Sequence, residues 1–133
     1  MPFGTATVIT NVGKAMAADR LRGTPATYSN SPKYVAMGVG ATSADRTAVA
    51  ADAALSSQVE SRTSGTESVQ TTSATGDTTQ VVGTITATAS RAVDEAGLFD
   101  ASSSGNMFLS ATFAVINLAN GDSIQFTMKA QFT

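Results

Sequence analysis

The most regular alternation of apolar and polar positions lies in the last third of the chain. Leu109, Ala111, Phe113 and Val115 alternate with Ser110, Thr112 and Ala114, and Asn120-Gly121-Asp122 follows as a turn. Ile124, Phe126, Met128, Ala130 and Phe132 then alternate with Gln125, Thr127, Lys129 and Gln131. A period of two places each set on its own face of a strand. With an Asn-Gly turn between them, the two runs predict an antiparallel hairpin with one buried and one wet face. The second strand is expected to run almost to Thr133, finishing inside the sheet.

Upstream, Thr78 to Arg91 reads as a strand, with Val82, Thr84, Thr86 and Thr88 on one face and Val81, Ile85, Ala87 and Ala89 on the other. Gly76-Asp77 marks the turn before it. Gln58 to Thr72 alternates sparsely around Val59 and Val69, with Gly65 as a bulge or turn. The Ser/Thr-rich stretch from Ser56 to Thr79 is therefore expected to form an exposed hairpin rather than low-complexity chain. Tyr34 to Val39 predicts a short strand ended by Gly38 and Gly40. Ala41 to Ser57 is a connection anchored by Leu55.

A different period opens the chain. Thr10 is placed to cap a helix from about Asn11 to Leu21, with Val12, Ala15, Met16 and Leu21 as its apolar face and Gly23 as its stop. Gly13 weakens the first turn. Residues 1–9 form a candidate extended arm in which Phe3, Val8 and Ile9 are the candidate assembly contacts, beside flexible Gly4. The reading is one mainly β domain over residues 1–133, an antiparallel β-sandwich-like fold with one N-terminal α-helix.

Composition changes this picture in two ways. Thr, Ser and Ala supply over two-fifths of the 133 residues and aromatics only 6%. The core is then thin, which suits a sheet protein sharing its stability with neighbours. Histidine and cysteine are both absent, which removes the commonest general base, the thiolate ligands and any disulfide. Eight basic residues against ten acidic give a net charge of −2. Only Lys14, Arg20 and Arg22 cluster, short of the basic stripe that nucleic-acid binding requires. The N-terminus has no signal-peptide pattern, and no apolar run approaches a membrane span. No cofactor, nucleic acid or membrane is expected.

Candidate chemistry is sparse. Asp94, Glu95 and Asp100 are the densest acidic cluster. Read functionally, they are a hard-cation site; read structurally, one of the Asp94-Glu95 pair meets an arginine and the other is solvated. A regular strand would point the pair to opposite faces. Gly121-Asp122-Ser123 looks like a hydrolase block but lacks a base, unless Lys14, Lys33 or Lys129 serves; turn formation explains it without chemistry. Gly38-Val39-Gly40 is too short for a phosphate loop. Tyr28 and Tyr34 with Arg20, Arg22 and Lys33 are a weak candidate platform for nucleic acid or glycan. A carbohydrate-binding sandwich would want more exposed aromatics.

The remaining signal is one of kinship. Ile9-Thr10-Asn11-Val12-Gly13-Lys14-Ala15, Tyr34-Val35-Ala36-Met37-Gly38-Val39-Gly40, then Leu55 with Glu60 and Arg62, then Glu95-Ala96-Gly97-Leu98-Phe99-Asp100, and finally Gly121-Asp122-Ser123 occur in order along the chain. In these blocks the sequence resembles the N-terminal domain of tailed-bacteriophage tail-collar fibre proteins and related small phage virion structural proteins. Its most specific part is Glu95, Gly97, Leu98, Phe99 and Asp100. The spacing of Leu55, Glu60 and Arg62 departs from the family's run, and Asp94 stands where fibre domains tend to carry arginine. Fibres also continue into a shaft and tip, whereas this sequence stops at Thr133. The resemblance implies a virion structural protein without enzymatic activity, made in the host cytoplasm and located on the outer capsid surface or tail. Its expected partners are the major capsid protein or other virion proteins, with the chain itself a homo-oligomer. Decoration of the capsid, as a cement protein bridging neighbouring subunits, is the first expectation. A small tail, collar or baseplate adaptor is the alternative.

Overall fold

In the computed structural model, residues 4–24 and 27–133 are described. The chain forms β1 (Ala6–Ile9), α1 (Asn11–Leu21), β2 (Tyr34–Val39), β3 (Gln58–Ser64), β4 (Thr66–Gln70), β5 (Thr78–Thr86), β6 (Arg91–Phe99), β7 (Met107–Leu118) and β8 (Ser123–Gln131). All pairings are antiparallel. They make a five-stranded sheet, β1-β7-β6-β2-β3, and a three-stranded sheet, β4-β5-β8. The fold is mainly β and β-sandwich-like with a single N-terminal helix, as the alternation predicts.

Between the sheets, Val35, Met37, Val93, Ala96, Leu98 and Leu109 of the larger meet Val81, Ile85, Phe126, Met128 and Ala130 of the smaller; Met16 of α1 joins this core. On the other face of the larger sheet, Ala36, Phe99 and Met107 form a second cluster that Leu55 covers from the connection over residues 40–57. β6 is thus enclosed on both faces from Val93 to Phe99, as an inner strand with both sides packed should be.

The helix follows its local chemistry. The Thr10 hydroxyl accepts from the Gly13 amide at 2.9 Å and donates to the Met107 carbonyl at 2.5 Å, so one side chain caps α1 and ties it to β7. Gly13, which weakens an isolated helix, is needed here because a Cβ would strike the Phe108 carbonyl. Gly23, at φ +83°, follows the C-cap. The expected apolar face holds only in part: Met16 is buried and Val12 half-buried, but Ala15 and Leu21 face solvent.

Three sequence expectations are corrected. The last two strands are not a hairpin, because β7 belongs to one sheet and β8 to the other. The Gly121 amide donates to the Ala87 carbonyl at 2.8 Å and the Ala87 amide to the Asp122 carbonyl at 2.8 Å. The turn therefore docks on the end of β5, which pairs with β8 from Thr86↔Ser123 to Thr78↔Gln131. The strand read from Thr78 to Arg91 breaks after Thr86, where the chain crosses to the larger sheet to start β6. The Ser56 to Thr79 stretch likewise divides at Gly65. There β3 ends in one sheet and β4 begins in the other, and a Cβ would collide with Val81.

The expected free arm is also corrected beyond Thr5. Ala6–Ile9 pairs with β7, with Val8 opposite Ser110 and Ile9 opposite Leu109, and Ile9 packs on the core. Edge pairing satisfies the backbone of these apolar residues, which a solvated arm would leave exposed. Phe3 lies outside the described residues. At the other end, β8 stops at Gln131, and Thr133 is exposed rather than within the sheet.

Candidate functional site

Asp94 and Glu95 are both buried, and a bulge explains how neighbouring residues escape opposite fates. β6 pairs Val93 with Ile116 but Glu95 with Thr112, so β7 carries two residues more than β6 between these pairs. Against β2 the register passes from Gly38↔Glu95 to Val39↔Val93, leaving Asp94 as the extra residue. The bulge resets the alternation, so Val93, Ala96 and Leu98 all serve the inter-sheet core. Asp94 is released from both ladders, and its carboxylate accepts from the Ala41 amide at 3.1 Å and the Thr42 amide at 2.8 Å. It is therefore not solvated.

Glu95, with no exposed surface, meets an arginine as one structural reading of the sequence expects. Its carboxylate accepts from Arg46 Nη2 at 2.6 Å and from the Ser57 amide at 3.0 Å. Gly38 lies against it, where any Cβ would collide with the carboxylate. Arg46 also donates through Nη1 to Asp52 at 2.6 Å and through Nε to Ser56 at 2.9 Å. Asp52 further accepts from the Val49 amide at 3.0 Å and the Ser110 hydroxyl at 2.7 Å. Desolvation works to lower the Arg46 pKa, but the Glu95 hydrogen bond and the charge of Asp52 outweigh it and hold the guanidinium above its ordinary value. The acidic pair and Asp52 thus fasten the start, middle and end of a connection that has no regular structure of its own.

The other motif residues assemble beside this network. Asp100 closes the polar loop after β6, accepting from the Asn106 amide at 2.7 Å and from Asn106 Nδ2 at 3.0 Å. Arg62 lies over the Phe99 ring at 3.5 Å and donates to the Ala101 and Ser104 carbonyls at 2.9 and 2.6 Å. Burial lowers its pKa, against the raising effect of the Asp100 charge. A Cβ on Gly97 would sit 2.9 Å from Phe99, 3.0 Å from Met107 and 3.3 Å from Leu55, so glycine gives Leu55 its seat. Leu98 is in the main core. Glu60 stands in a bulge of β3 at φ +62°. Its carboxylate accepts from the Thr88 hydroxyl at 2.7 Å, the Thr88 amide at 3.1 Å and Arg91 Nε at 2.9 Å. These contacts, the hydroxyl's first, lower its pKa from 4.5 to about 2.

Leu55, Glu60, Arg62, Glu95, Gly97, Phe99 and Asp100 thus belong to the outer side of the larger sheet and its fastenings, while Leu98 turns to the core between the sheets. No family model, curated protein or solved structure matches this chain.

The remaining candidates resolve into local structure. The Asp122 carboxylate accepts from the Ala119 amide at 2.8 Å, and the Ser123 hydroxyl meets that of Thr86 at 2.6 Å. Tyr28 packs against the core, while Lys33 lies over the Tyr34 ring at 5.8 Å. Arg20 donates to the Ser29 carbonyl at 2.8 Å, and Arg22 pairs with Asp19 at 3.4 Å. These contacts tie the loop after α1 to the helix and divide the expected platform. Among the described residues no three acidic side chains gather as a metal site, and no helix is long and apolar enough to cross a membrane.

What the sequence pattern does not reveal is a cleft of about 460 Å³ between α1 and the end of the three-stranded sheet. Met16, Ala17, Leu21, Pro32, Phe108 and Phe132 line it, with Arg20 the one charged lining residue among those described. Leu21 is 89% exposed and Phe132 51% exposed. Large apolar side chains left in water around a concavity are the mark of a contact surface. The exposure of Leu21 and Phe132 had no signal in the sequence, where each belongs to a pattern that reads as buried.

Proposed function

We propose that this chain is a bacteriophage virion structural protein without enzymatic activity, acting as a capsid decoration or cement protein that bridges neighbouring subunits. The observation that carries the reading is how its polar groups are used. The residues behind the resemblance to fibre-attachment domains form a self-satisfied framework, and no buried side-chain nitrogen or oxygen among those described lacks a hydrogen-bond partner. Catalytic sites usually keep a polar group available to substrate; here the acids, Arg46 and Arg62 are engaged in holding loops. Of the exposed large apolar residues among those described, Leu21 and Phe132 sit together at one cleft, while Val69, Val115 and Ile116 lie elsewhere on the strands. Such a protein works through contact free energy, small per copy and multiplied over a lattice. Partners on this reading are the major capsid protein and further copies of the chain.

The resemblance itself favours a second placement, a small tail, collar or baseplate adaptor. Adding the purified chain back to particles made without it separates the two. A cement protein restores resistance of the head to heating and osmotic shock. An adaptor leaves head stability unchanged and restores tail attachment or infectivity.

A further inference from the structure

We propose that the cleft between α1 and the three-stranded sheet takes a segment of another protein chain in which one or more large apolar side chains are flanked by carboxylates. This inference rests on the virion reading and names the surface and the partner chemistry for it. The interior of the cleft is apolar, with Met16, Phe108 and Phe132 as walls, so the anchor must be apolar. Its surroundings are cationic. Arg20 lines the cleft, and exposed Lys14 lies three and seven residues before Ala17 and Leu21, on the same stripe of α1. Arg22 follows on the same end of the helix.

Acidic groups balance these cations only in part: Asp19 pairs with Arg22 at 3.4 Å, which leaves the charges of Lys14 and Arg20 beside the cleft. Asp19 is turned inward, buried, accepting from the Thr27 and Tyr28 amides at 3.1 and 3.0 Å. Glu67, which accepts from the Ser31 hydroxyl across the rim, sets one carboxylate against the two cations Lys14 and Arg20. The same charges argue against a second copy as occupant. A two-fold contact centred on this face would gather Lys14 and Arg20 of both copies into one interface. Like charges so juxtaposed oppose docking, whereas carboxylates on a different chain would be drawn in.

The probe is a random peptide library selected against the purified chain, with the enriched peptide then measured by fluorescence anisotropy. The expected consensus is a Leu, Phe or Met anchor flanked by Asp or Glu. Its affinity should fall as salt rises and drop about tenfold or more in both Arg20→Glu and Leu21→Asp. Leu21→Asp leaves the Arg20–Ser29 contact in place, and unchanged circular dichroism melting in that variant separates lost binding from lost folding. No enrichment, a consensus without acids, or affinity unchanged in a folded Leu21→Asp chain overturns the proposal. So does a concentration-dependent dimer, seen by sedimentation, that Leu21→Asp dissolves. If the chain is present in virions but selects no acidic-apolar peptide, this inference fails while the functional reading stands. If it is absent from virions, the reading itself fails.

Discussion

At the scale of single residues, Arg46 holds together what the sequence scatters. Its nitrogens reach Glu95, Asp52 and Ser56 separately. Lysine, with one nitrogen on a flexible stem, cannot span the three. Arg46→Ala would strand the Glu95 carboxylate in the interior with the Ser57 amide as its remaining described partner. We expect a loss of about 3–5 kcal/mol, the usual cost of removing one partner of a buried pair, with Arg46→Lys recovering only part of it. Urea denaturation measures both; a loss within experimental error for Arg46→Ala would mean that the network does not hold the connection down. The acidic pair was legible in the sequence as a place where an arginine would be met. Which arginine was not legible, because Arg46 lies 49 positions away in a connection without periodicity. Nor was the burial of Asp94, since strand alternation assumes a regular ladder and the bulge that frees Asp94 depends on the register of two neighbouring strands.

At the scale of elements, α1 and β2 were legible end to end because local chemistry delimits them: the Thr10 cap, Gly23 beyond the helix, and apolar Tyr34–Val39. The separation of β7 and β8 into different sheets was not. An Asn-Gly turn between alternating runs favours a hairpin, but the same turn here carries the chain between sheets, its backbone taken up by Ala87. That choice is made by packing of the whole core, which no local signal records. The bulge of β3 carries a testable consequence. Glu60 binds a proton less readily when folded, its pKa about 2 against an ordinary 4.5. Its stabilising contribution is therefore full above pH 4.5 and is lost as pH falls towards 2. Asp77, capping the Ala74, Thr72 and Ser73 amides, is also held below its ordinary value and acts in the same direction. Glu60→Gln should accordingly flatten the fall of stability below pH 4.5 without abolishing it. Melting temperatures of wild type and variant across the acid range test this, and parallel profiles would contradict the assignment.

At the scale of the whole molecule, alternation along most of the chain made a β-sandwich with one helix legible, and the small-residue composition pointed to a thin core. What composition could not show is how the thin core is supplemented. One face of the larger sheet is closed by an irregular connection held by charge and hydrogen bonds, so the acids that read as a candidate cation site are used in construction. Nor could it show the cleft, whose walls come from α1, Pro32, Phe108 and Phe132, far apart in sequence and joined only by the packing of helix on sandwich. A molecule with its polar interior satisfied and with Leu21 and Phe132 exposed at a concavity is suited to being one repeated part of a larger object. The most direct test is the copy number of this chain in purified virions, by quantitative mass spectrometry against the major capsid protein. A decoration protein should approach a ratio of about one, as multivalent coverage of the shell requires; absence of the chain from the particle would contradict the account.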